Sequence, residues 1–115
     1  MIYALLMGLP NVTPRSLHAM QQNRHLHIFD VNALQSFRSA HVPQAQHLDP
    51  LAFTADDLPA SKDEMLVFYC SNLLCRKAPL AAQRARRMGY ANATVMSAGI
   101  AGWLAAGLPT ERHCA

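Results

Sequence analysis

Met65-Leu66-Val67-Phe68-Tyr69 is an unbroken apolar run, and it leads through Cys70-Ser71-Asn72-Leu73-Leu74-Cys75 into Arg76-Lys77. Five successive residues of β-forming character without polar alternation are the pattern of a strand covered on both faces, as in a parallel sheet. Lys77 to Met88 then reads as a helix. Leu80, Ala81, Ala85 and Met88 are expected on its sheet-facing side, the arginines outward, and Gly89 at its stop. Cys70 therefore stands where a central strand hands over to a helix, the level at which parallel sheets bind ligands.

Outward from this unit, strands and helices alternate. Thr13 is suited to cap a helix that Pro14 starts and that runs to about Gln22. His25 to Val31 reads as a strand with Leu26, Ile28 and Phe29 inward. Asn32 is placed to cap a short helix carrying Leu34 and Phe37 on one side, and His41-Val42-Pro43 breaks it. Ala45 to Leu48 suggests a second short strand. Asp49 to Leu58, with Pro50 and a Thr54 cap, suggests irregular structure or a brief helix. Ala93 to Met96 completes the strands. Ile100 to Ala106 forms a last helix ended by Gly107, with Trp103 and Leu104 available for packing. The alternation implies an α/β parallel sheet, and residues 1–115 are expected to form one domain.

The composition narrows the function classes. Of 115 residues, 51% are apolar and 15% charged, the balance of a compact folded chain. Ten Lys and Arg against seven Asp and Glu give a formal charge of +3, with the excess concentrated in Arg76, Lys77, Arg84, Arg86 and Arg87. That cluster favours small anions. No basic stripe with interleaved aromatics argues for nucleic acid. The apolar opening run Met1 to Leu9 is too short to span a bilayer and lacks signal-peptide features, so a cytoplasmic location without membrane association is the default expectation. Cysteines at 70, 75 and 114 are too few and odd in number for a disulfide framework, and two without a matching ligand pair do not make a zinc site. Neither a metal nor another cofactor is expected.

A lone cysteine reads first as a small buried hydrophobe. One that ends a buried strand ahead of a basic helix start points instead to reactivity. The thiolate is the nucleophile, and helix N-terminal amides and nearby cations lower the thiol pKa from about 8.5. Arg76 and Lys77 supply the cations, while the amides from Ser71 through Asn72, Leu73 and Leu74 to Cys75 are placed to form an anion-binding nest.

Further motifs give this chain a resemblance. Phe29-Asp30-Val31 followed by Phe37-Arg38-Ser39-Ala40-His41-Val42-Pro43-Gln44-Ala45 is similar to the first rhodanese signature, a strand ending in Asp-Val and a later Gly-His-Ile-Pro-Gly-Ala. Val67-Phe68-Tyr69-Cys70 resembles the strand and active-site cysteine of that family, and Met88-Gly89-Tyr90 the helix end. Ala98-Gly99-Ile100-Ala101-Gly102-Trp103 and Ala106-Gly107-Leu108-Pro109 resemble its Gly-Gly-Ile-x-x-Trp and Gly-Leu-Pro elements. The likeness runs from about Val12 to Glu111. It implies the rhodanese-like fold, a five-stranded parallel sheet flanked by helices on both faces.

For activity, the resemblance implies sulfur transfer with Cys70 as nucleophile. Ser71, Asn72, Leu73, Leu74, Cys75 and Arg76 would form the substrate-binding loop. The implied partners are a small anionic sulfur donor and a thiol or cyanide acceptor, with a sulfur-relay protein as a further candidate. Six residues follow Cys70 through Arg76, where the common family loop has five, and none is glycine. This length resembles the loop of phosphatases and arsenate reductases on the same fold, which is the competing enzyme reading. The Cys70-x4-Cys75 pair resembles small rhodanese-like proteins with a second loop cysteine, so Cys75 stands either as a resolving thiol or as packing. A redox-sensing or partner-binding module is the third reading. Asp30 and His41 are expected in structural roles, Arg38 in solvent, Trp103 in the core, and Cys114 without a role.

Overall fold

The computed structural model describes residues 2–113, and the expectations for Met1 and Cys114 lie outside them. The element order is α1 (Ile2–Leu6), α2 (Pro14–Met20), β1 (Leu26–Asp30), α3 (Leu34–Ser39), β2 (Gln46–His47), β3 (Met65–Tyr69), α4 (Lys77–Arg87), β4 (Ala93–Val95) and α5 (Gly99–Ala105). A single 3-10 turn at Ala55–Asp57 is closed by a Thr54–Asp57 capping box. Thr13 caps α2 by accepting from the Ser16 amide, with Pro14 in the first turn.

The strands form a parallel sheet in the order β2-β1-β3-β4, with β3 central. Alternate residues of β1, β3 and β4 serve opposite faces, as the two-residue period of a strand requires. Phe29, Leu66, Phe68, Cys70 and Val95 pack with Ala4 of α1 and with Ala78, Ala81, Ala82 and Ala85 of α4. Ile28, Val67, Tyr69 and Met96 pack with Leu17, Phe37 and Trp103, from α2, α3 and α5. Helices thus cover both faces, and the sheet matches the expected architecture apart from its fifth strand. In the place of that strand, Pro10–Val12 runs beside β4. Val95 donates to Pro10 O at 3.0 Å and Val12 donates to Val95 O at 2.8 Å, leaving a single parallel bridge at Asn11. Proline has no amide to extend the ladder, and α2 begins at Pro14, so the pairing ends there.

Several local expectations are corrected. Asn32 does not cap α3: Ala33 holds that position without a side-chain bond, and the Asn32 side-chain oxygen accepts instead from the Ser71 hydroxyl. Leu34 is exposed, whereas Phe37 is buried against His41. On α4 the inward face is Ala78-Ala81-Ala82-Ala85, a true i, i+3, i+4, i+7 stripe, and it leaves Leu80 49% exposed. Nor do all the arginines point outward. Arg84 and Arg86 lie half-buried and donate to Phe53 O and Ala93 O, their stems covering apolar surface. On α5 Trp103 is fully buried and donates to Pro109 O at 2.7 Å, whereas Leu104 is exposed.

Candidate active site at the end of the central strand

Cys70 directly follows β3, and its side chain turns to the face shared with α1 and α4. The first turn of α4 approaches it: the Ala78 amide donates to Cys70 Sγ at 3.4 Å. Pro79, in that same turn, has no amide to leave unsatisfied. A sulfur in this position meets the positive end of an 11-residue helix, which favours the thiolate over the thiol.

The six residues after Cys70 fold back on themselves. Cys75 returns to within 6.4 Å of Cys70 between Cα atoms, and the two sulfurs are joined as a disulfide. Asn72 organises the turn. Its side-chain oxygen accepts from the Leu74 amide at 2.9 Å and its backbone oxygen from the Cys75 amide at 3.1 Å. In this paired form those two amides are directed to Asn72 rather than to the sulfur. Leu73 and Leu74 stand exposed at 52% and 77%. Arg76 lies over the ring of Tyr3 at 4.8 Å, on the α1 side of the loop. Ser71 donates to Asn32 Oδ1 at 2.8 Å, tying the loop to the end of β1.

The other side of the loop is held by α5. The Ile100 amide donates to Cys70 O at 2.9 Å and the Ala101 amide to Ser71 O at 3.0 Å. Gly99, at φ +66°, makes this approach possible, because a Cβ there would stand 2.6 Å from the Ser71 carbonyl carbon.

Cys70 is only 3% exposed. Its pocket is small, about 10 Å³, and is bordered by Tyr3, Ala4, Leu73, Cys75, Ala78, Pro79, Val95, Met96 and Ser97. Sequence reasoning placed neither the α1 roof nor Ser97 here. Position alone offers a signal for Ser97, since it follows β4 at the same carboxyl-end level as Cys70. Farther along the carboxyl edge, Asn32, His47, Asp49 and Lys77 line a separate open cleft of about 350 Å³.

The remaining polar residues are structural in their contacts. Asp30 is fully buried and its Oδ1 accepts from the Asn32 amide at 2.8 Å. Burial pushes its carboxyl above the ordinary range, against the downward pull of Tyr69 and the Asn32 amide. Burial, together with the neighbouring Asp30 carboxylate, pushes the Tyr69 phenol up, and that hydroxyl accepts from the Val42 amide at 3.0 Å. His41 is buried with Nδ1 2.8 Å from Phe37 O, and Arg38 is exposed. Among the described residues no cluster of His, Cys, Asp and Glu is arranged to hold a metal ion.

A parallel sheet with a cysteine at its central strand end and an amide-bearing helix start behind it is the α/β arrangement that the rhodanese resemblance implies. The family model for the rhodanese-like domain matches residues 13–106, and the chain belongs to that family. Solved structures agree on the fold. A Bacillus halodurans protein superposes with a TM-score of 0.83 at 18% identity, covering 96% of this chain and 82% of its own. The thiosulfate sulfurtransferase of Pseudomonas aeruginosa gives 0.79 at 21%, covering 91% of this chain and 20% of that one. A Rhodopseudomonas palustris protein of unknown function, described as a possible tyrosine phosphatase, gives 0.72 at 22%, covering 90% and 86%. No curated protein matches the chain.

Proposed function

We propose that this protein is a sulfurtransferase in which Cys70 carries sulfur as a persulfide. The observation that carries the reading is Cys70 Sγ at the end of β3, receiving the Ala78 amide from the α4 N-terminus. An external dithiol first opens the Cys70–Cys75 bond by exchange and is itself oxidised, leaving Cys70 as thiolate. The thiolate attacks the outer sulfur of thiosulfate. A new S–S bond forms at Cys70, the S–S bond of the donor breaks, and its electron pair leaves with sulfite. A thiolate or cyanide acceptor then attacks the terminal sulfur, and the pair of the broken persulfide bond returns to Cys70. Splitting the transfer into two displacements lets each proceed through a soft, polarisable nucleophile.

The composition of the loop supports this reading over the phosphatase or arsenate reductase alternative: Leu73 and Leu74 occupy its middle, and no glycine lets the backbone approach a tetrahedral oxyanion closely. Pairing with Cys75 supports a redox-sensing reading as well, in which oxidation withdraws Cys70 from catalysis. Cys75 would resolve a persulfide by attacking the Cys70 sulfur and expelling hydrosulfide. A cytoplasmic site of action, with its thiol pool, fits this dependence on a reductant.

Thiosulfate:cyanide transfer by reduced protein tests the proposal. Cys70→Ser should abolish turnover, while Cys75→Ser should retain it and lose its requirement for prior reduction. Turnover of a phosphate ester, with none of thiosulfate, would refute sulfur transfer. Equal loss in both variants would refute the division of roles.

A further inference from the structure

We propose that Ser97 is the hydroxyl donor to the sulfur at Cys70, first to the thiolate and then to the terminal sulfur of the loaded persulfide. The register places it there. Phe68 pairs with Val95, so two residues onward Cys70 lies level with Ser97, on the same face of adjacent parallel chains. Neighbouring strands are about 4.8 Å apart, within the reach of two short side chains.

Ser97 is 8% exposed, and its Oγ is buried without a hydrogen-bond partner among the described residues. An unpaired buried hydroxyl is costly and calls for an explanation. It borders the same small cavity as Cys70, whose other walls are Ala4, Ala78, Pro79, Val95 and Met96 together with Tyr3, Leu73 and Cys75. The Ser97 backbone is fixed, its amide donating to Asn11 Oδ1 at 2.8 Å. A hydroxyl on a held backbone, in a cavity bordered mostly by apolar side chains, suits a large, weakly hydrated anionic atom, which is the character of a persulfide sulfur. The substrate part of this inference rests on the sulfur-transfer reading above, whereas donation to the thiolate does not.

The titratable or charged groups around the sulfur are Tyr3 on α1, Cys75 in the loop and Arg76 over Tyr3. The residues of α4 and β4 that border the cavity carry none. With the reduced full-length chain, the pH dependence of Cys70 alkylation, followed by peptide mass, reads the thiolate directly. Ser97→Ala should move that profile up by about one pH unit. It should also lower the fraction of Cys70 persulfide formed from thiosulfate roughly tenfold. A merely structural serine would shift the melting temperature and leave the profile in place. An unchanged profile overturns the role of Ser97 whether or not the wild type carries sulfur. A shifted profile in a wild type that takes up no sulfur supports Ser97 as thiolate donor and overturns its persulfide role together with the transfer reading.

Discussion

Gln44 adopts φ +75°, the left-handed region that costs a residue with a Cβ about 1–2 kcal/mol. Where the first rhodanese signature has glycine, this chain has glutamine, and its amide donates to Glu111 Oε1 at 3.2 Å. Because that bond uses only the backbone, Gln44→Gly keeps it and removes the strain. Denaturant unfolding should show a gain of about 1 kcal/mol, reduced by the greater freedom of glycine in the unfolded chain. Asp30 sets a pH dependence. Burial raises its folded pKa above the ordinary 3.8, so the folded chain holds this proton more tightly than the unfolded one. The stability it contributes is full below 3.8 and lost as pH rises through the folded value. Asp30→Asn should therefore flatten the fall in unfolding free energy above pH 3.8, measured by urea titration at successive pH values. An unaltered slope would show that the carboxyl is solvated.

At the scale of elements, the loop after β3 is braced on both sides by helix starts. α4 contributes the Ala78 amide to the sulfur, and α5 contributes the Ile100 and Ala101 amides to the carbonyls of Cys70 and Ser71. Gly99 is the hinge of the second brace. Gly99→Ala combines an unfavourable φ with a clash against the Ser71 backbone, for a loss of about 2–4 kcal/mol. Calorimetry should show the lowered melting temperature, and sulfur transfer should fall with it because the loop is pushed out of place. The strands and helices around this loop were legible because each pattern had a local cause: the apolar run at Met65–Tyr69, the Thr13 and Thr54 caps, the Gly89 stop. On α4, Ala81 and Ala85 were legible, but Leu80 was placed inward and Ala78 and Ala82 were missed, because alanine rather than leucine lines this face. Close approach of the helix to the sheet selects small side chains, and hydrophobicity alone ranks Leu80 above them.

For the molecule as a whole, the rhodanese fold was legible from motifs spread along the chain, and the place of Cys70 followed from the apolar run it ends and the helix that comes after it. What surrounds its sulfur was not, since Tyr3, Ala4 and Ser97 meet it only through tertiary packing of α1 and through register between β3 and β4. The state of the loop was also open, because the spacing of Cys70 and Cys75 permits both a paired and an unpaired geometry. Pairing closes a short loop across a separation of 5 residues, and the chain-entropy relation gives about 2 kcal/mol for it. Unfolding with and without reductant should differ by that amount in wild type and not in Cys75→Ser. A difference that persists in the variant would place the stabilisation elsewhere.

The segment Pro10–Val12 beside β4 has a consequence for how copies of this protein meet. It occupies one margin of the sheet without offering a continuous row of free amides, and the opposite margin, β2, is only two residues long. Both described borders are therefore short or interrupted templates for a foreign strand, the form in which sheets limit edge-to-edge pairing between copies.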